Sequence, residues 1–557
     1  MNHMLHEKRE FCDVRQLIEW AAEAYGEAPA FSFTEGRRRH SVSYLTLRDD
    51  VRALSTELLA RGYAGRHTVL VGKLSYEWAL VYYAVQIVGG VLVPLDRDWS
   101  AEDLAETSAR ADAAFLFADA DLEEKARCIQ KTAATSEPFC PLTAEGLGAL
   151  LAAGRERYRR EPSAYHECRI DPCQMSLLVF TSGTTGKGKG VMLCQRNYLS
   201  DLSNVTPYID FRKKTVGVLP PHHTYGSSVL LIGHVMIGCE VYFSAGLRYV
   251  VKELKEERPG HMILVPLYLE TFYRRIHATL REQKKEKLVY CMIALSNALR
   301  RIGIDLRKRL FGKVRAAFGG CLEMIISGGA PINSEILSFF EAIGIATLNG
   351  YGITECAPII AVNRSRNVVP GSVGNVLDID DVRIDEPNEA GEGEIHVSGP
   401  NIMLGYYKDE QATAEAIGKD GYFRTGDYGK LTNGGILYIT GRKKNLIILS
   451  NGKNVYPEEI ESDFIAVPGV QDIVVYEGQS RRGLEHNAIV AEIFPDAEYL
   501  EKNGITDARA HFNPFVEDYN RRAVPYKKIG VLKIRTEDFP KNTLRKIMRF
   551  KMDMTID

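Results

Sequence analysis

Several signals are missing from this sequence. Its 557 residues include ten cysteines, and no two of them stand as Cys-x-x-Cys. Thirteen histidines include no His-x-x-x-His pair. The usual zinc spacings are therefore absent, no zinc site is expected, and the thiols read as buried or free ones in a reducing compartment. Charge of one sign is not in excess: the net charge is −2, which implies no general attraction to nucleic acid. Long uninterrupted apolar runs are lacking too. Trp78–Leu95 contains Gln86, Gly89, Gly90 and Pro94, and reads as a buried helix, a turn and a strand. Thr215–Cys239 is broken by Pro220, Pro221 and three histidines. Neither reads as a membrane span. The opening MNHMLHEKREFCDV has no apolar core of a secretory signal, so a cytoplasmic protein is expected.

What is present centres on Leu177–Leu193, LLVFTSGTTGKGKGVML. Leu177–Phe180 predicts a buried strand, and Val191–Leu193 a second apolar stretch. Between them, Thr181–Gly190 holds four glycines, four hydroxyl side chains and two lysines. Glycine lets backbone N–H groups turn toward an anion; hydroxyls and lysines add donors and charge. The segment suits either a polyphosphate cradle or a plain surface turn. It is not the common nucleotide-triphosphatase loop, because Lys187 is followed by Gly188.

Strand and helix patterns alternate before this segment. Asp50–Arg61 predicts an amphipathic helix; Thr68–Gly72, Val91–Leu95 and Ala114–Ala118 predict strands; Ala133–Leu142 and Arg155–Pro172 read as loops. Beyond it, Leu219–Gly226 (LPPHHTYG) leads into a helical run, Ser227–Ile237. A single histidine there is structural or catalytic. Lys252–Arg315 carries 16 Lys or Arg against 7 Asp or Glu. Within it, Tyr290–Arg315 predicts a helix that is either a solvated face or a membrane-facing patch. Leu322–Pro331 (LEMIISGGAP) is a strand ending in bare backbone, and Thr347–Pro358 reads TLNGYGITECAP. There Tyr351 can stack on a base, Thr354 can donate to phosphate, and Glu355 offers a hard oxygen for Mg2+. Gly391–Gly405 predicts an antiparallel strand, and Tyr422–Asp427 contains Thr-Gly-Asp, a turn or a ribose-binding carboxylate. The pattern restarts after Gly441, with a helix from Pro457 and strands near 472–476 and 487–494. The expected fold is α/β: a large multi-layer N-terminal domain, 1–440, and a small mobile α+β C-terminal domain, 441–557.

Taken together, Thr181–Gly190, Leu219–Gly226, Tyr351–Glu355, Tyr422–Asp427 and Phe539–Ile547 resemble the motifs of the adenylate-forming, acyl-activating enzymes. Two departures stand out: Gly188 replaces the family's usual proline, and Arg545 its usual glycine. The proline change should loosen the loop. The resemblance implies a phosphate grip from Thr181, Ser182, Gly183, Thr184, Thr185, Gly186 and Lys189. It places adenine beside Gly328, Gly329, Ala330, Tyr351 and Gly352, a phosphate donor at Thr354, and Mg2+ on Glu355. Asp427 and Arg442 would hold ribose, His223 would lie near the acyl carboxylate, and Lys444 would be a hinge. Of the cations Lys541, Arg545, Lys546 and Arg549, alignment makes Lys546 the catalytic lysine, acting with Glu355, Thr184 and His223. Gly452 would reach the site after the small domain swings.

The branch resembled most is that of bacterial long-chain fatty acyl-CoA ligases. The resemblance implies ATP, Mg2+ and CoA as the small molecules, a fatty or other carboxylic acid as substrate, and an acyl carrier protein as the alternative acceptor. An oxygenase on the same scaffold and a nucleotide sensor without turnover are the rival readings. Such chemistry forces two anions together, carboxylate and ATP, so the cations must cancel their repulsion. Thiol entry then needs the lysine withdrawn.

Overall fold

The computed structural model describes residues 4–181, 188–246, 248–449, 454–465, 467–478, 488–541 and 547–556. Among them, strands Val91–Leu95 and Ala113–Ala118 are buried at every position, the pattern of parallel strands covered on both faces. They belong to a seven-stranded sheet ordered 405–406, 189–194, 175–181, 91–95, 67–71, 113–118, 140–141. From 175–181 onward its neighbours run parallel. The strand Lys189–Cys194 folds back antiparallel on Met175–Thr181, pairing Thr181 with Lys189.

A thirteen-stranded sheet contains a second parallel run: 240–243, 214–217, 261–264, 324–327, 346–351. It continues into an antiparallel run that includes Gly393–Ser398, Phe423–Leu431 and Ile436–Arg442. The helix Tyr76–Ile87 is buried from Trp78 through Ile87, and one apolar core joins residues of both sheets around it. This is the helix, turn and strand expected for 78–95; Gly89 makes the turn at φ 72°.

The C-terminal part has its own core, Ile447 to Leu532, under a three-stranded sheet of 470–478, 488–495 and 531–534. Helices Pro457–Phe464 and Ala508–Arg522 contribute to that core. The large multi-sheet body with a small C-terminal sheet is the expected fold class.

Two expectations need correction. Arg155–Pro172 is not all loop: the helix Ala144–Arg160 covers its start, and a short helix follows at Ser163–His166. Its last turn lacks apolar periodicity because Arg155 and Arg157 face partners on a neighbouring helix, Asp50 and Glu57. Gly154 lets the two helices meet; a Cβ there would fall 1.9 Å from the Ala53 carbonyl oxygen. Tyr290–Arg315 is not one helix either. The helix Glu286–Arg301 ends at Gly303, φ 83°, and two short turns follow at Arg307–Leu310 and Gly312–Arg315.

Candidate active site

The candidate segments follow the C-terminal ends of parallel strands, the side of such sheets where ligands bind. Thr181 ends Met175–Thr181 in one sheet. In the other sheet, Leu264, Ser327 and Asn349 lie in register on adjacent strands. Gly328–Ala330 and Tyr351–Glu355 emerge directly beyond them.

Ser182, Gly183, Thr184, Thr185, Gly186 and Lys187 lie outside the described residues, as do Gly452, Arg545 and Lys546. The base of the phosphate segment is described. A Cβ on Gly188 would sit 2.2 Å from the Thr181 carbonyl oxygen, so this backbone admits neither alanine nor proline. Arg110 donates to the Gly188 carbonyl at 2.9 Å. The Lys189 ammonium lies 4.6 Å from the ring centre of Tyr406, and the Tyr406 hydroxyl donates to Glu355 Oε1 at 3.0 Å. Lys189, Tyr406 and Glu355 thus form one line.

Glu355 sits in the 3₁₀ turn Thr354–Cys356. Its carbonyl accepts the Met403 N–H, and the Leu404 N–H donates to the Met192 carbonyl, which ties this turn to the hairpin of the other sheet. Burial raises the carboxyl's pKa, opposed by the Tyr406 hydroxyl. One carboxylate suits Mg2+, which keeps water and substrate phosphate in its shell rather than a protein cage. Gly352 closes the turn: a Cβ there would fall 1.7 Å from the Pro358 carbonyl oxygen.

Asp427 and Arg442 are cross-strand partners, and Arg442 Nε meets Asp427 Oδ1 at 2.9 Å. Tyr351 donates to the other oxygen at 2.7 Å. Asp427 is buried, so its two acceptor atoms are aimed by these contacts. Gly329 adopts φ 87°, and Gly329 and Ala330 are exposed. A Cβ on Gly328 would lie 3.1 Å from the Tyr225 hydroxyl. That hydroxyl and His223 Nε2 are both buried without a hydrogen-bond partner. Burial, then His222 beside it, pushes His223 down to about 3, so at neutral pH it is an uncharged donor or acceptor. His222 Nε2 lies 3.6 Å from Asp96.

Lys444 lies, exposed, in the turn Lys443–Asn445 between the strand Ile436–Arg442 and the C-terminal core. Lys541 and Arg549 are structural cations. Lys541 pairs with Asp472 at 2.7 Å and with Asp538 at 2.7 Å. Arg549 pairs with Glu461 and donates to the Val475 carbonyl. Lys541 bridges to Ile547, closing the base of the segment that carries Lys546. Asn333, just past the Gly328–Ala330 turn, donates to the Ser462 carbonyl at 2.5 Å, so the C-terminal part contacts the body here.

Sequence reading missed Tyr406 and Tyr225. Among the described residues, one histidine–cysteine group lies close enough to suggest a metal: His234, Cys239 and His261. Its geometry is that of a hydrogen bond. The rings are nearly parallel, with centres 5.2 Å apart but Nε2 atoms 2.9 Å apart, so they meet edge to edge. The Arg212 N–H donates to His261 Nδ1, and His234 Nδ1 lies 2.7 Å from the Val229 carbonyl. This fixes both tautomers: His261 Nε2–H donates to His234 Nε2, and His234 Nδ1–H to Val229. The lone pairs a metal would need are taken. Burial also keeps Cys239 a thiol.

A model of the AMP-binding enzyme family matches residues 18–407. The chain is 28% identical over 507 residues to long-chain-fatty-acid–CoA ligase 1 of Cavia porcellus, covering 82% of this chain and 70% of that one. It is 28% identical over 458 residues to long-chain-fatty-acid–CoA ligase FadD15 of Mycobacterium bovis, covering 77% and 74%. Among solved structures, ATP-bound MatB from Rhodopseudomonas palustris superposes with a TM-score of 0.74 at 24% identity, over 96% of this chain and 97% of that one. The o-succinylbenzoate coenzyme A synthetase of Bacillus subtilis, in complex with ATP and magnesium ion, gives 0.70 at 21% identity over 96% and 98%. At these identities the structural likeness establishes the fold.

Proposed function

The chain belongs to the AMP-binding enzyme family, and on that premise we propose that it is an AMP-forming acid–thiol ligase acting on medium- or long-chain fatty acids, with CoA as acceptor. In the first half-reaction a carboxylate oxygen attacks the α-phosphorus of ATP, giving acyl-adenylate and pyrophosphate. In the second, a thiol attacks the acyl carbon and expels AMP. The names of the ligases from Cavia porcellus and Mycobacterium bovis support the fatty acid and CoA.

The observation that carries the reading is Asp427, buried and oriented by Tyr351 and Arg442 beside the Thr354–Glu355 turn. The carboxylate so oriented would accept from the ribose hydroxyls. Exposed Gly329 and Ala330 would leave room for adenine. Glu355, steadied by Tyr406, would hold Mg2+, whose charge would offset that of the phosphates. Lys189 and the Thr181–Gly186 segment would grip the β- and γ-phosphates. His223, uncharged, would hydrogen-bond the acyl carboxylate without trapping it as an ion pair. Lys546 would lie between carboxylate and α-phosphate. Residues 441–557 would then turn about Lys444 to open the thiol path.

The test is exchange of labelled pyrophosphate into ATP across straight-chain acids of increasing length. Exchange that peaks with medium or long chains, followed by CoA-dependent AMP release, is the expected result. Absence of exchange with every acid would refute the reading, and a peak with short or aromatic acids would replace the substrate class.

A further inference from the structure

The helix Glu286–Arg301 has more apolar surface than the body covers. Its buried residues are Val289 and Ser296. Leu288, Leu295 and Ile302, 56%, 57% and 71% exposed, follow each other at seven-residue intervals. Seven residues are nearly two turns, so they form one outward line about 21 Å long. Exposed Cys291 and Ala298 fill the same stripe, and Tyr290 and Ile304 are exposed nearby. Contiguous exposed apolar side chains of this kind mark an interaction surface.

The charge around the stripe is one-sided. Residues 281–315 hold eleven lysines and arginines against three acidic residues, a net +8 in a chain whose total is −2. All three acids are already paired: Glu282 with Lys502, Glu286 with Arg281, and Asp305 with Arg307. Lys284, Lys287, Arg301, Arg309 and Lys313 are exposed and have no ion-pair partner among the described residues. A second copy docking through the same face would set +8 against +8, which opposes self-association there. An anionic lipid surface matches both properties at once: headgroups for the cations, acyl chains for the leucines. Among the described residues no helix is long and apolar enough to cross a membrane, so the contact is in the interfacial plane.

We propose that the Glu286–Arg301 helix is a peripheral membrane-docking element. It lies flat on anionic bilayers with Leu288, Leu295 and Ile302 inserted, and with Lys284, Lys287, Arg301, Arg309 and Lys313 on the headgroups. The proposal goes beyond the ligase reading and does not depend on it, since vesicle binding is measured without acid or ATP.

The experiment is flotation of the full chain with phosphatidylcholine vesicles, with and without about 30 mol % phosphatidylserine. The chain floats with the anionic vesicles, and raising salt from about 0.1 to about 0.5 M releases most of it. Leu295→Asp and the charge reversal Lys287→Glu/Arg301→Glu each lower partitioning about tenfold or more. Both retain the wild-type melting temperature, which separates lost docking from lost folding. Equal partitioning of wild type and Leu295→Asp overturns the proposal. So does a wild-type chain that stays in solution with anionic vesicles, or sedimentation showing a dimer that Leu295→Asp dissolves. If both variants melt early, the milder Leu288→Ser decides by the same comparison.

Discussion

Asp427 is buried with both oxygens engaged, one by Tyr351 and one by Arg442. A carboxylate has about four lone-pair positions, and these two contacts set the plane and direction of the Asp427 carboxylate before a ligand arrives. That preorganisation is the residue-scale logic of the site. Lys541 and Arg549 are held in ion pairs, which leaves Arg545 and Lys546 of the four candidate cations, and the family motif puts the catalytic role on Lys546. Lys546→Ala is expected to slow adenylate formation by roughly 10²–10³, about 3–4 kcal/mol, the worth of one oxyanion donor. Thioester formation from supplied acyl-adenylate is expected to persist; equal loss in both half-reactions would remove the role. Tyr406→Phe takes away the hydroxyl that steadies Glu355, so the Mg2+ concentration for half-maximal adenylation should rise about tenfold or more. An unchanged Mg2+ titration would argue against Glu355 as ligand. At this scale the sequence exposes residues that recur in fixed order, such as Tyr351, Glu355 and Asp427. Tyr406 and Tyr225 stay hidden because nothing local distinguishes a tyrosine aimed at a carboxylate from one filling a core. Gly188 also carries a constraint that the sequence does not show. The backbone around Thr181 leaves no space for a side chain there.

The elements that carry the site are two strand ends and one turn. The hairpin Met175–Cys194 and the turn Thr354–Cys356 come from different sheets, and backbone bonds through Met403 and Leu404 join them. Strands with continuous apolar runs were legible because burial on both faces leaves no other pattern. Helix ends were not. The last turn of Ala144–Arg160 is polar and held by ion pairs, and the break after Arg301 rests on one glycine. The turn Lys443–Asn445 links the strand bearing Arg442 to the C-terminal core, as the proposed pivot requires. Lys444→Pro, which stiffens that turn, is expected to leave adenylation within about tenfold while slowing thioester formation by ~100-fold. Loss of both steps to the same degree would show that residue 444 is structural only.

On the scale of the whole molecule, folding buries several imidazoles in their uncharged form. His223 is pushed down to about 3 and His234 to about 4, both chiefly by burial. An unfolded histidine titrates near 6.5. Between pH 6.5 and these lower values the unfolded chain binds protons that the folded one refuses, so each such group costs stability as pH falls. Buried carboxyls act in the opposite sense: burial raises Asp201, and raises Asp380 to about 8, so they favour the folded state on acidification. A difference measurement isolates one imidazole. His223→Gln should lose about 2 kcal/mol less than the parent chain between pH 7.5 and 5. Parallel stability curves would show that His223 takes up its proton as readily in the folded protein as in the unfolded chain.

The edge-to-edge histidines have a consequence of their own. Each ring hydrogen, on His261 Nε2 and His234 Nδ1, is occupied and shut away from water. Neither can trade with deuterium while the interior stays shut. The pair is a clock buried in the molecule, and it advances only when the packing of the 234–236 helix on the 261–264 strand opens.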